Sequence, residues 1–256
     1  MPKPVIIAFA NQKGGVGKTT SAVNIAAAIA YLGHSVLLCD LDPQGNATSG
    51  VGINKKTVRY SAYEALLGQC VPDMAVVKTR WDNLSLMPST INLVGAEIEL
   101  LEMEEREARL RKTLEALNEP YEFVVIDCPP SLGMLTINAL TASDGVVIPM
   151  QCEYFALEGL SQLMITIKKI KQAYNRDLYI MGILITMYNG RLNLTTQVAD
   201  ELKKYYADKL FKTTIARNVK VSEAPSFGEP VIYYEWYSKG SLAYMDVAKE
   251  LLDRIL

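Results

Sequence analysis

The run Asn11-Gln12-Lys13-Gly14-Gly15-Val16-Gly17-Lys18-Thr19-Thr20 decides how the rest of the chain is read. An apolar stretch, Val5 to Ala10, precedes it and has the composition of a buried strand. The segment that follows, Ser21 to Leu32, is rich in Ala and Ile and suits a helix. Strand, glycine loop and helix in that order form the context of a phosphate-binding loop. Gly14, Gly15 and Gly17 let the backbone approach an anion, with Val16 between them, and amides at a helix N-terminus point toward it. Lys18 is placed to reach β- and γ-phosphates, Thr19 to ligate Mg²⁺ through its hydroxyl, and Thr20 to complete the cradle. The pattern G-x-x-x-x-G-K-[ST] is not fully met. Gln12 stands where its first Gly belongs, and a second lysine, Lys13, precedes the paired glycines.

Two further apolar runs end in carboxylates. Ser35 to Asp40 reads as a strand broken by Asp40-Leu41-Asp42-Pro43-Gln44-Gly45-Asn46, which puts Asp40 and Asp42 at its C-terminal end, where open parallel sheets bind ligands. Tyr121 to Asp127 reads as another, stopped by Pro129-Pro130, with Asp127 delivered to the Mg²⁺ shell beside Thr19. Asn83 to Pro88, Gly145 to Met150, Asp177 to Met187 and Phe211 to Ala216 are further strand candidates. Tyr60 to Leu67, a long amphipathic span from Glu97 to Leu117, Ala156 to Ala173, Asn193 to Tyr206 and Ser241 to Leu256 are helix candidates. Arg217 to Pro225 reads as a loop. Strands alternating with helices predict an α/β, doubly wound, mostly parallel sheet. No repeat, low-complexity tract or linker divides the chain, so residues 1–256 are expected to form one domain.

Of 256 residues half are hydrophobic, net charge is −2, and no apolar stretch is long enough to span a bilayer. Cys39, Cys70, Cys128 and Cys152 are widely spaced without a C-x-x-C pair, which suits buried reduced thiols in a cytoplasmic protein better than a metal site or disulfides. The charge is uneven. Glu97 to Asp127 holds four Lys/Arg against ten Asp/Glu, whereas Leu160 to Lys220 holds eleven against four. The basic segment would serve a polyanion, although ordinary solvated helix faces give the same balance. His34 sits in a turn, where solvation is expected, and the aromatics Tyr233, Tyr234, Trp236 and Tyr237 suit packing or an interface.

The separated motifs together resemble a known family. Lys13 to Thr19 is similar to the deviant Walker A motif of the ParA/MinD group of P-loop ATPases, and Asp40 to Asn46 resembles the companion motif of its ParA branch. Val125 to Gly133, Gln151-Cys152-Glu153-Tyr154, Ala156 to Leu160 and Ser222-Glu223-Ala224-Pro225 are similar to the chromosome-partitioning ParA proteins called Soj. The resemblance runs over nearly the whole chain.

It implies a slow, partner-stimulated ATPase whose Lys13 reaches across a homodimer to the phosphates of the partner's ATP. A cation contributed in trans offsets repulsion between facing nucleotides, so dimerisation would depend on the γ-phosphate. Asp42 would position the attacking water, and Asp40 would lie nearer the metal. Met187, Asn218 and Pro225 are the expected purine contacts. The ATP dimer would bind double-stranded DNA without sequence preference through Arg191, Lys220 and Arg217, in a nucleoid-associated protein. A ParB-like activator would release it by stimulating hydrolysis. The loop begins too early for an N-terminal helix-turn-helix extension. The MinD-like alternative, a membrane-surface ATPase, anchors through a basic amphipathic C-terminal helix. Met245 to Leu256 carries three acids against two bases, so packing is expected there and stable membrane association is not.

Overall fold

Five of the strands contain almost no polar side chain, the composition of strands covered on both faces. The computed structural model describes residues 3–255. In chain order it runs β1 (Val5–Phe9), α1 (Lys18–Tyr31), β2 (Val36–Asp40), α2 (Asn46–Gly50), α3 (Ala62–Leu67), β3 (Val77–Lys78), β4 (Leu84–Met87), α4 (Leu93–Glu99) and α5 (Arg109–Glu115). It continues β5 (Phe123–Asp127), α6 (Met134–Ala142), β6 (Gly145–Met150), α7 (Ala156–Ala173), β7 (Tyr179–Ile185), α8 (Asn193–Tyr206), α9 (Val219–Glu223), α10 (Val231–Tyr234) and α11 (Lys239–Ile255). The strands form a seven-stranded sheet in the order β3-β4-β2-β5-β1-β6-β7, parallel except for the short β3.

Helices cover both faces. Ile25 of α1 and Val247 of α11 lie in one apolar layer; Leu66, Leu93, Leu110, Leu135, Leu163 and Val198, from α3 to α8, lie in the other. This is the doubly wound α/β fold expected from sequence. Residue 256, the last of the expected closing helix, and residues 1–2 lie outside the described residues. Register places Asp40 opposite Asp127, and Asp127 opposite Phe9, so three neighbouring strands end side by side at one edge.

Four expectations are corrected. Glu97 to Leu117 is not one helix: the chain is extended at Met103, turns through a left-handed Glu105 (φ 50°), and restarts as α5. Asn138 of α6 holds the corner, accepting from Leu110 N at 3.0 Å and donating to the Arg106 carbonyl at 2.7 Å. The bend brings Leu100, Leu110 and Leu114 into one core, which a straight helix of about 31 Å would not do. Phe211 to Ala216 follows the β7 edge through isolated bridges rather than a strand, because the Glu250 carboxylate accepts from Lys212 N and Thr213 N and draws the chain away. Arg217 to Pro225 contains a helix, α9, whose N-cap Asn218 accepts from Lys220 N and Val221 N. Among the cysteines Cys70 is only half-buried; the other three are buried, and all four are free.

Sequence periodicity also gave no sign of α6, nearly all of whose residues are buried, so no polar face marks it. Three of the four C-terminal aromatics pack: Tyr233 stacks on Trp81 with centroids 4.2 Å apart, Trp236 lies 4.8 Å from Tyr31, and Tyr234 stacks on Phe227 at 5.0 Å, whereas Tyr237 is 82 % exposed.

Candidate nucleotide site

The loop between β1 and α1 sits over the C-terminal edge of the sheet. Gly17 caps α1 in the left-handed region (φ 82°), a conformation that costs a residue with a side chain and lets the helix start at Lys18. Two bonds hold the loop's ends. Asn11 donates to the Pro149 carbonyl at 2.8 Å, and the Thr186 hydroxyl donates to the Val16 carbonyl at 2.7 Å, tying the loop to β6 and to the end of β7. Gly14 and Gly15 are exposed and bare on their outer side.

The two lysines differ. Lys18 is 7 % exposed, and burial pulls its pKa down against the opposing charge of Asp127. Its Nζ donates to the Lys13 carbonyl at 3.1 Å, closing the loop from below. The Lys13 side chain is 40 % exposed and pairs with Glu153 on the rim.

The three carboxylates differ as well. Asp40 is fully buried and engaged, accepting from Thr48 N and Thr48 Oγ1 at 2.7 Å each and from Asp42 N at 3.2 Å. Burial still raises its pKa, to about 6. Asp127 is fully buried, and among the described residues neither carboxylate oxygen has a hydrogen-bond partner. Burial and then the Asp40 charge push its pKa well up, while the Thr19 hydroxyl, close to the carboxylate but outside hydrogen-bond geometry, and Lys18 oppose them. An orphaned carboxylate of this kind costs stability until something fills its shell. Asp42 opens the turn before α2, where its Oδ1 accepts from Gln44 N at 2.9 Å.

A cavity of about 260 Å³ is lined by Gly14, Gly15, Gly17, Lys18, Thr19, Thr20, Asp42, Asn46, Pro130 and Met187. A second, of about 250 Å³, shares Gly17, Thr20 and Met187 and adds Asn218, Val221, Pro225 and Tyr244. The structure thus brings Gly14, Gly15, Gly17, Lys18, Thr19, Thr20 and Asp42 to one cavity and the three expected purine contacts to its neighbour, while Lys13, Val16, Asp40 and Asp127 line neither. Met187 joins them with a left-handed backbone (φ 50°), strain of the kind that gathers at binding sites. Arg217, expected beside Arg191 and Lys220, stands in the wall of the second cavity with Nη2 3.9 Å from Met187 Sδ. Arg191 is exposed in the loop before α8; Lys220 pairs with Glu223 at 3.0 Å and lies over the Tyr234 ring. The larger cavity of about 440 Å³, near Lys3, Arg111 and Tyr121, opens at the opposite end of the sheet and gathers no phosphate-binding amides.

Sequence motifs missed Thr48, Thr186, Glu153 as the partner of Lys13, and Tyr244. Each acts through a long-range contact, so no local pattern marks it.

Residues 5–180 match the family described as "AAA domain". The chain is 55 % identical to the sporulation initiation inhibitor protein Soj of Bacillus subtilis (strain 168) over 246 residues, covering 96 % of this chain and 97 % of that one. It is 49 % identical to the chromosome partitioning protein ParA of Caulobacter vibrioides (strain NA1000 / CB15N) over 251 residues, covering 97 % and 94 %. Among solved structures, a protein of Mycobacterium smegmatis described as cobyrinic acid a,c-diamide synthase, with bound ADP and magnesium, superposes with a TM-score of 0.87 at 38 % identity, covering 99 % of this chain and 96 % of that one. A putative plasmid partition protein of Borrelia burgdorferi B31 bound to AMPPNP gives 0.86 at 27 % identity, covering 99 % and 100 %.

Proposed function

Because the chain belongs to the Soj/ParA family of P-loop ATPases, we propose that it is a partition ATPase: it binds ATP with Mg²⁺, dimerises around it, coats DNA without sequence preference and leaves when a ParB-like partner stimulates hydrolysis. The observation that carries this reading is the unequal placement of the two lysines. Lys18 is sunk under the loop, where one subunit's phosphates need a cation. Lys13 stands on the open rim beside two bare glycines, where a second copy's phosphates would need one.

The residues present fit a magnesium nucleotide. Asp127 offers two unpartnered carboxylate oxygens, and Thr19 offers a hydroxyl in the first turn of α1. Among the described residues no cluster of three His, Cys, Asp or Glu side chains would hold a metal alone, which suits Mg²⁺ that takes one or two carboxylates and completes its shell with phosphates and water. When bound, the ion neutralises charge on the transferring phosphoryl group. The loop amides and Lys18 bind and orient the phosphates, and Asp42, at the cavity wall, orients the water that attacks. Asp40 holds α2 through Thr48, and so holds Asp42's turn in place.

The MinD-like alternative would need a C-terminal apolar face free for lipid. In α11 that face, including Tyr244, Val247, Ala248 and Leu251, is buried against α1. No described helix is long and apolar enough to cross a membrane. The activity in the description of the Mycobacterium smegmatis structure is set aside because identity to the partitioning proteins is higher, 55 % against 38 %.

The test is binding to unrelated DNA duplexes at several salt concentrations with ATP, with ADP and without nucleotide. Binding that needs ATP and falls steeply with salt is expected. Binding regardless of nucleotide, or binding to anionic liposomes in place of DNA, overturns the reading.

A further inference from the structure

Helix α4 and the turn after it are apolar on two faces, and the core uses only one. Leu93, Ala96 and Leu100 are wholly buried. On the other side Ile91, Val94, Ile98 and Leu101 are 66 %, 52 %, 69 % and 53 % exposed. Val94 and Ile98, four residues apart in α4, share one helix face, and Ile91 in the turn before α4 and Leu101 in the 3₁₀ turn after it extend the patch. A helix that packs on one side of a sheet needs one apolar stripe. A second, contiguous and solvated, marks an interaction surface.

Charge selects the occupant. From Ile91 to Glu105 the chain carries five glutamates and no lysine or arginine. Glu102 and Glu104 are exposed with no ion-pair partner among the described residues. Glu105 pairs with Lys112, but Glu97 and Glu99, like Glu102 and Glu104, have no ion-pair partner among the described residues. That field repels DNA and anionic lipid, and it repels a second copy of the same seam, which would set four such acids against four. We propose that this seam docks an amphipathic helix flanked by Lys and Arg, carried by the activating partner. The inference rests on the partner-stimulated hydrolysis proposed above and locates where the partner binds.

The seam is tied to the nucleotide site before its first residue and again at its middle. Before α4, Ser89 N donates to Thr48 Oγ1 at 2.9 Å, and Thr48 in turn bonds Asp40. A Cβ on Gly45, in the turn that follows Asp42, would stand 3.1 Å from the Ser89 carbonyl, so turn and lead-in are in close contact. Within α4, Glu97 accepts from Met134 N at 2.7 Å and caps α6, which follows the loop after Asp127. A helix that shifts α4 therefore bears on the turn of Asp42 and on the loop leaving Asp127.

The experiment pairs a Val94→Ser/Ile98→Ser double variant with Glu102→Lys/Glu104→Lys. The probe is the purified ParB-like protein of the same genome, and circular dichroism checks folding. Basal turnover and ATP-dependent DNA binding are expected within about twofold of wild type, while stimulated turnover of the serine variant falls about tenfold or more, as for loss of central apolar anchors. The lysine variant is expected to need more activator for half-maximal stimulation. Full stimulation of both variants overturns the seam. A wild-type protein that does not bind DNA with ATP overturns the partition reading instead. A photo-crosslinker at position 98 supplies a second readout: capture of a Lys/Arg-rich helix of the activator supports the seam, and capture of a second copy of this chain, or of nothing, overturns it.

Discussion

Lys13, in the loop after β1, ion-pairs with Glu153 at the end of β6, 140 residues along the chain. Both side chains are about half exposed, and such pairs contribute about 0.2–1 kcal/mol. Within one subunit the lysine is parked by this contact, not locked. Glu153→Gln is expected to lower the ATP concentration needed for dimerisation by up to about fivefold, the equilibrium worth of the pair, as read by light scattering. Lys13→Ala is expected to keep nucleotide binding through Lys18 and lose the ATP dimer altogether. A dimer that forms normally without Lys13 removes its role in trans.

Asp42→Ala is expected to yield ATP dimers that persist, with turnover at least about a hundredfold lower, the scale expected when a water-positioning group is lost. Single-turnover kinetics on preformed dimers measures this. Ordinary turnover in the variant would take Asp42 out of the chemistry and leave it the turn-forming role its bond to Gln44 N already shows.

Asp127→Asn is expected to stabilise the ligand-free protein while abolishing the Mg²⁺-dependent part of its stabilisation by ATP. Burial raises the pKa of Asp127 in the folded state. Its contribution to stability is therefore complete below the unfolded value of about 4 and is lost as pH rises through the folded value. Relief of a buried, unpartnered carboxylate is worth about 1–3 kcal/mol. The variant should thus melt about 2–6 °C above wild type at pH 7.5, and the gap should close toward pH 4. Differential scanning fluorimetry across pH, with and without Mg²⁺ and ATP, decides it; a variant that melts lower at pH 7.5 would show Asp127 to be satisfied already.

Arg191→Ala and Lys220→Ala are expected to weaken DNA binding uniformly across sequences, but unequally. Free of any ion pair among the described residues, Arg191 should lower the salt slope by about one. Lys220 spends part of its charge on Glu223, so its loss should lower the slope by less. Loss of affinity for one sequence alone would contradict phosphate contact.

Much of the site was legible because its parts are local patterns: glycines and Lys18 before a helix, and carboxylates at strand ends. What escaped depends on distant partners. The corner at Glu105 follows from Asn138, and the missing strand after Leu210 follows from Glu250. Helix α6 escaped because burial on every side erases periodicity, and Arg217 was grouped with basic neighbours although folding turns it toward Met187.

Helix α1 carries the phosphate loop, yet its outer face is closed by the last helix. Ala22, Ile25, Ala26 and Ile29 are wholly buried, Tyr244 of α11 lies 3.4 Å from Ser21, and Asn24 accepts from Val231 N at 2.6 Å. Tyr244 also lines the cavity of the expected purine contacts. The helix behind the phosphate loop is thus completed by residues that lie 207 and 223 positions further along the chain, so a nascent polypeptide that has emerged only as far as α8 holds the loop sequence without its backing.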